Sequence, residues 1–213
     1  MDITECKYDT MAVEFGALKL LIDGQLSASM ATILREEYPE RHEPEGTYVA
    51  FDRERRKAIS LDAESLILRD DLVTTPDQSV ALFIRTLQAL PDTINWVTGV
   101  LTVVTIGRLP VADTESLQVL ISEKLLPKGI DAKRLPDVLV GGASSLFVHK
   151  DDAHLAFSLQ SAFDDTNGSW VSFEMVSTWE GQVKGIDHLK AIFNRHADVL
   201  DQFFQLISDW KGV

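Results

Sequence analysis

His149 and His154 bracket the turn Lys150-Asp151-Asp152-Ala153. With a strand on either side, that spacing sets the two imidazoles across a hairpin from each other. Together with Asp151 they would supply three ligands to a divalent metal such as zinc, and a hydrolase could be built on such an ion. No further histidine stands at a local spacing that completes the set. Aspartates at a hairpin tip are also accounted for by their bonding to turn backbone. The expectation is a polar tip with two neighbouring rings in solvent, and no metal.

The remaining reactive side chains point away from catalysis. Asp70-Asp71, Asp151-Asp152 and Asp164-Asp165 are adjacent acids at strand ends, and neighbouring strand residues face opposite sides of a sheet. His188 and His196 share a helix face but lack the i, i+4 spacing of a helical metal pair. His196 falls on an apolar stripe, where a core histidine bonded to one partner is expected. Cys6 is the only cysteine, so it forms no internal disulfide and no thiolate zinc site, and no base stands near it. The chain has no G-x-G-x-x-G, no glycine loop ending in Gly-Lys-Ser/Thr and no G-x-S-x-G. Gly141-Gly142 lies inside a strand pattern and marks a bulge or bend. Trp96, Trp170, Trp179 and Trp210 fall in strands or the last helix, as core tryptophans do. No catalytic residue and no cofactor is expected.

Composition narrows the class. The chain has 213 residues, 45% hydrophobic and 25% charged, so it can bury a core. Its net charge is −13, spread evenly: 18 acids against 11 bases up to Arg108, and 15 against 9 beyond it. Such a field repels phosphate backbones and argues against nucleic acid, while it speeds association with a basic protein. Arg53, Arg55, Arg56 and Lys57 are a local exception, read as a solvated hairpin turn. No apolar run reaches the ~18 residues of a membrane span, and MDITECKYDT carries acids where a signal peptide would be basic. A cytoplasmic protein is expected.

The elements that would position these residues run twice. Met11–Gly24 alternates as a strand and ends in a turn. Ser27 caps a helix whose Met30, Ile33, Leu34 and Tyr38 share a face, and Pro39 stops it. A polar loop to Gly46 precedes three strands in hairpins, TYVAFD, RKAISLD and ESLILRD. Thr75-Pro76-Asp77 opens a helix buried through Val80, Phe83, Ile84 and Leu87. The second run has a long strand from Ile94 to Leu109 that bends at Gly99, and a helix from Asp113 or Thr114 through Leu125. The strands VLVGGASSLFVH, AHLAFSLQSAF and SWVSFEMVSTW follow. The last helix, from Asp187 to about Trp210, carries the stripe Leu189, Phe193, His196, Leu200, Phe203, Ile207 and Trp210. The expected fold is α+β. Two β-α-β(3–4)-α units, residues 10–90 and 94–210, form one compact domain over 1–213. Its sheet is curved and mainly antiparallel, with the helices on one face.

That element order resembles the duplicated fold class of the TATA-box-binding protein, in which a saddle-shaped sheet carries helices on its convex side. The runs LREEYPE, YVAFDRERRKAISLDAESLIL, SVALFIRTLQAL and VVTIGRLP resemble a sporadically distributed, uncharacterised family of bacterial α+β proteins. Neither resemblance implies a catalytic residue, and the second implies an association with mobile or defence genes. The expectation is a non-enzymatic protein-binding or assembly protein of bacterial or phage origin, within a defence or conflict system. Ile192 and Phe204 lie one position off the stripe and would form an apolar flank for a basic partner or a second copy. Two alternatives stand beside it. One is a small-ligand sensor with a pocket between sheet and last helix, lined by Ser158, Gln160 and Ser172. The other is the metal-dependent hydrolase at His149, His154 and Asp151.

Overall fold

A computed structural model describes residues 6–18, 24–71, 73, 75–91, 99–110, 141–150, 153–164 and 168–209. The first run holds β1 (Lys7–Phe15), α1 (Gly24–Ile33), β2 (Glu40–His42), β3 (Tyr48–Asp52), β4 (Lys57–Leu61), β5 (Leu66–Asp70) and α2 (Pro76–Ala89). The second holds β6 (Val100–Pro110), β7 (Gly141–Lys150), β8 (Ala153–Asp164), β9 (Gly168–Glu180) and α3 (Ile186–Asp209). The fold is α+β: among the described residues, one open, curved sheet of nine antiparallel strands carries three helices on one face.

The strand order is β2-β3-β4-β5-β1-β6-β9-β8-β7. In each run the first strand lies against the last, β1 on β5 and β6 on β9. The two first strands then pair with each other, from Lys7↔Arg108 to Phe15↔Leu101. A shift in register between Tyr8 and Thr10 lets β1 follow the curve of its neighbour.

Strict alternation builds the core. Met11, Val13 and Phe15 on β1, Ile59 and Leu61 on β4, and Leu101 and Val103 on β6 point under the helices. So do Leu155, Phe157 and Leu159 on β8, and Val171, Phe173 and Met175 on β9. Phe173 is the hub of the second half. Its ring meets Tyr8 edge-on at 6.1 Å, stacks toward Phe157 at 6.4 Å and receives Phe204 edge-on at 5.0 Å. Gly107 makes room for it. A Cβ there would stand 2.7 Å from the Phe173 ring and 2.5 Å from the Lys7 carbonyl.

Three local expectations shift. α1 begins at Gly24, so Ser27 lies inside the helix, buried beside Met30, rather than capping it. Part of the loop expected over 39–46 is an edge strand: Glu40, Arg41 and His42 pair with Phe51, Ala50 and Val49. α2 buries Ser79, Leu82 and Thr86 along with Phe83 and Leu87, leaving Val80 and Ile84 half-buried. Both buried hydroxyls are satisfied: Ser79 Oγ donates to Asp70 Oδ2 at 2.7 Å, and Thr86 meets the Tyr38 hydroxyl at 3.3 Å.

Candidate functional site

The β7–β8 hairpin places His149 opposite His154. Their Nδ1 atoms are 3.2 Å apart, the ring centroids 4.5 Å apart, and both rings are exposed. One ring donates and the other accepts. The separation is also close to that of two ligands on one tetrahedral ion. Among the described residues no third imidazole, thiolate or carboxylate completes a metal-binding group. Glu180 stands 3.8 Å from the far nitrogen, Nε2, of His154. Asp151 and Asp152 lie outside the described residues, as do Asp165, Trp96 and Trp210.

Just before His149, β7 carries three exposed apolar side chains in succession. Leu146 is 47% exposed, Phe147 77% and Val148 36%. Alternation sends Phe147 to the helix-free face, together with Ser145 and His149, while Leu146 and Val148 point to the helix side. Phe147 flanks a shallow hollow of about 350 Å³ with His149, His154, Ala156, Val176 and Thr178. Among the described residues β7 ends the strand order, and its ladder to β8 runs without a slip from Gly141↔Ala162 to Lys150↔Ala153. The glycine pair Gly141-Gly142 therefore marks no bulge. β7 is ten residues of regular edge strand.

A second concavity, about 770 Å³, opens where β1, the β3–β4 turn, the end of β5 and α2 meet. Its walls carry Arg55, Arg56, Lys57, Arg85 and Arg108 against Asp9, Glu37, Glu54, Asp70 and Asp71. Most of these charges are spent on one another. Arg108 grips Asp9 through two bonds of 2.8 and 2.6 Å. Glu37 takes Lys57 at 2.5 Å and Arg85 at 2.7 Å, and the Lys57 ammonium chiefly holds its carboxyl below the ordinary range. Asp71 accepts from Thr10 and Arg69 at 2.8 and 2.7 Å. The acid pair Asp70-Asp71 thus tethers structure. Arg53 and Arg55 are largely solvated, as expected of that turn, whereas Lys57 is only 6% exposed.

Beneath the sheet, His196 bridges two hydroxyls. Thr105 Oγ1 lies 2.9 Å from Nε2 and Ser177 Oγ 2.7 Å from Nδ1. The ring is core, as expected, but with two partners instead of one. Burial lowers its pKa from 6.5 to about 4, so it is neutral near pH 7. Sealed in this way, it has no route to a substrate. Cys6 is half-buried, and its thiol is pushed up to about 11, chiefly by burial, which makes it a poor nucleophile.

Two placements need correction. Ile192 and Phe204 are 5% and 3% exposed, packed into the core, and form no flank. α3 settles deeper than a two-position stripe suggests, because the curved sheet wraps a wider arc of it; Val199 is buried as well. Of the stripe, Leu189, Phe193, Leu200 and Phe203 are buried, while the side chains of Ile207 and Trp210 lie outside the description. Ser158, Gln160 and Ser172 alternate with the buried Leu159, Val171 and Phe173, so they line the helix-free face and no pocket under α3. Ser158 Oγ meets Ser145 Oγ at 2.9 Å there.

No family model matches the chain, and no curated protein matches it. No helix among the described residues is long and apolar enough to cross a membrane.

Proposed function

We propose that the protein is a non-enzymatic protein-binding or assembly module that works by accepting a strand on the outer edge of β7. The observation that carries this reading is Phe147, 77% exposed as the seventh residue of a ten-residue strand that ends the sheet among the described residues. An edge strand offers a row of backbone donors and acceptors, and an incoming strand satisfies them while apolar side chains on both faces fix its position. Leu146 and Val148 serve one face of such an added strand and Phe147 the other. The competing site, the charged cleft, has most of its cations already paired with carboxylates of the same chain.

Site-specific photo-crosslinking tests the reading. A benzophenone amino acid is placed at Phe147 and, in a second protein, at Arg41 on the opposite edge strand. The expectation is one dominant adduct from position 147, mapped by mass spectrometry to an extended segment, and none from position 41. Equal yields from both edges, or no adduct at 147, would overturn it.

A further inference from the structure

We propose that the strand added to β7 is the β7 of a second copy, running antiparallel about a two-fold axis that lies between the two copies of Phe147. This rests on the strand-addition reading above and names its partner.

A two-fold pairing of one strand with itself demands that the strand be self-complementary about its centre. Residues directly opposite each other in an antiparallel pair share a face, so some residue must lie opposite its own copy, with the axis between the two. The segment Ser145-Leu146-Phe147-Val148-His149 is chemically palindromic about Phe147: polar, aliphatic, aromatic, aliphatic, polar. In the register centred on Phe147, the two Phe147 rings meet on the helix-free face. Leu146 of each copy lies opposite Val148 of the other on the helix side. Ser145 lies opposite His149, a hydroxyl facing an imidazole. Moving the axis by one residue sets Phe147 against Ser145 and loses all three matches.

Charge agrees locally and opposes at long range. No acid or base lies between Ser145 and Val148 in a chain of net charge −13, so carboxylate does not face carboxylate across the ladder. The two bodies still repel each other through solvent. A homodimer built this way tightens as salt rises to screen that repulsion, whereas a complex with a basic partner weakens. The contact is small. The two Phe147 rings contribute on the order of 300 Å², and a single-strand ladder stays below the roughly 1,200 Å² of a standard interface. An interface of that size belongs with weak, reversible contacts, so the dimer is expected only at about tens of micromolar and above.

Sedimentation equilibrium of the whole chain from 1 to 300 μM, at 50 and 500 mM salt, reads the association. The expected result is a monomer–dimer equilibrium that is tighter at high salt and at least tenfold weaker in Phe147→Lys, with the thermal midpoint unchanged. Register is read separately in a Cys6→Ser background. Leu146→Cys mixed with Val148→Cys should form the crossed disulfide in preference to either self-disulfide. A chain monomeric to 300 μM, or crosslinks without that preference, overturns the second copy as partner. Two synthetic peptides then separate the two levels: residues 141–150 of this chain, and an unrelated alternating Thr-Val strand. A monomeric chain that binds the unrelated peptide retains strand addition and loses self-pairing. A monomeric chain that binds neither peptide loses both.

Discussion

The two edges of the sheet are built on opposite principles. β2 is three residues long, lies between Pro39 and Pro44, and bears Glu40, Arg41 and His42. Arg41 reaches Glu43 at 3.5 Å, and Arg53 reaches Glu40 at 3.1 Å, so charge is held over that edge. β7 is ten residues long, regular, free of proline, and exposes Leu146, Phe147 and Val148. Shortness, charge and proline are the usual means of keeping an edge from pairing. The fold applies all three at one edge, whereas at the other the only charge on the strand is Lys150 at its end. Three consecutive apolar residues are thus exposed at β7 and none at β2, which supports the proposed strand addition at β7.

Two phenylalanines of the second run give the widest contrast. Phe203 stacks on Phe157 at 4.4 Å with the rings 7° from parallel, under β8 and next to the open edge. Phe203→Ala should lower unfolding stability by about 3–5 kcal/mol in urea titration. Phe147→Ala, on β7 itself, should change it by no more than about 0.5 kcal/mol. Equal losses would mean that Phe147 is a core residue and the edge is closed.

Acid should act on the centre of the sheet before either edge. His196 ties α3 to β6 and β9, and its folded pKa of about 4 lies below the unfolded 6.5. Its contribution is complete above pH 6.5 and is lost as pH falls toward 4, because the unfolded chain takes up the proton first. The loss is roughly 3 kcal/mol. Denaturant titrations from pH 7.5 to 4 should show that slope in the wild type. His196→Gln should flatten it, on a lower baseline.

The smallest effect belongs to the blunted edge. Arg41→Ala removes an exposed ion pair and should shift stability by less than about 0.5 kcal/mol. Sedimentation of that variant should give the same association constant as the wild type. A gain in association would show that charge alone keeps β2 unpaired.

The fold was legible because two signals rarely conflicted. Period-two alternation in TYVAFD, RKAISLD and SWVSFEMVSTW placed each strand and its buried face, and the four-and-three stripe from Leu189 to Phe203 placed α3. The failures have separate causes. β2 is too short and too charged to show any period. Ser79 and Thr86 read as solvent positions until Asp70 and Tyr38, distant in sequence, supply their partners. The second bond of His196 needs Thr105 and Ser177 on neighbouring strands, a diagonal pairing that register alone reveals. The exposure of Phe147 was hidden for another reason. SSLFVH reads as an ordinary half-buried strand, and its place at the edge follows from topology. The one available signal was Leu146-Phe147-Val148 itself, three apolar residues in a row where a strand with one wet face would alternate.

β1 occupies the middle of the sheet, yet it is made early. Arg108 and Asp9, which bond across β1 and β6, are 99 residues apart along the chain. At a synthesis rate of roughly 5–20 residues per second, Met11, Val13 and Phe15 wait for several seconds before β6 leaves the ribosome. During that interval β1 has at most β5 beside it, and its other side is open to any passing strand. The high contact order that results predicts slow folding, on the order of milliseconds to seconds. Slower synthesis across residues 70 to 110 should lengthen that exposed interval and lower the yield of folded protein.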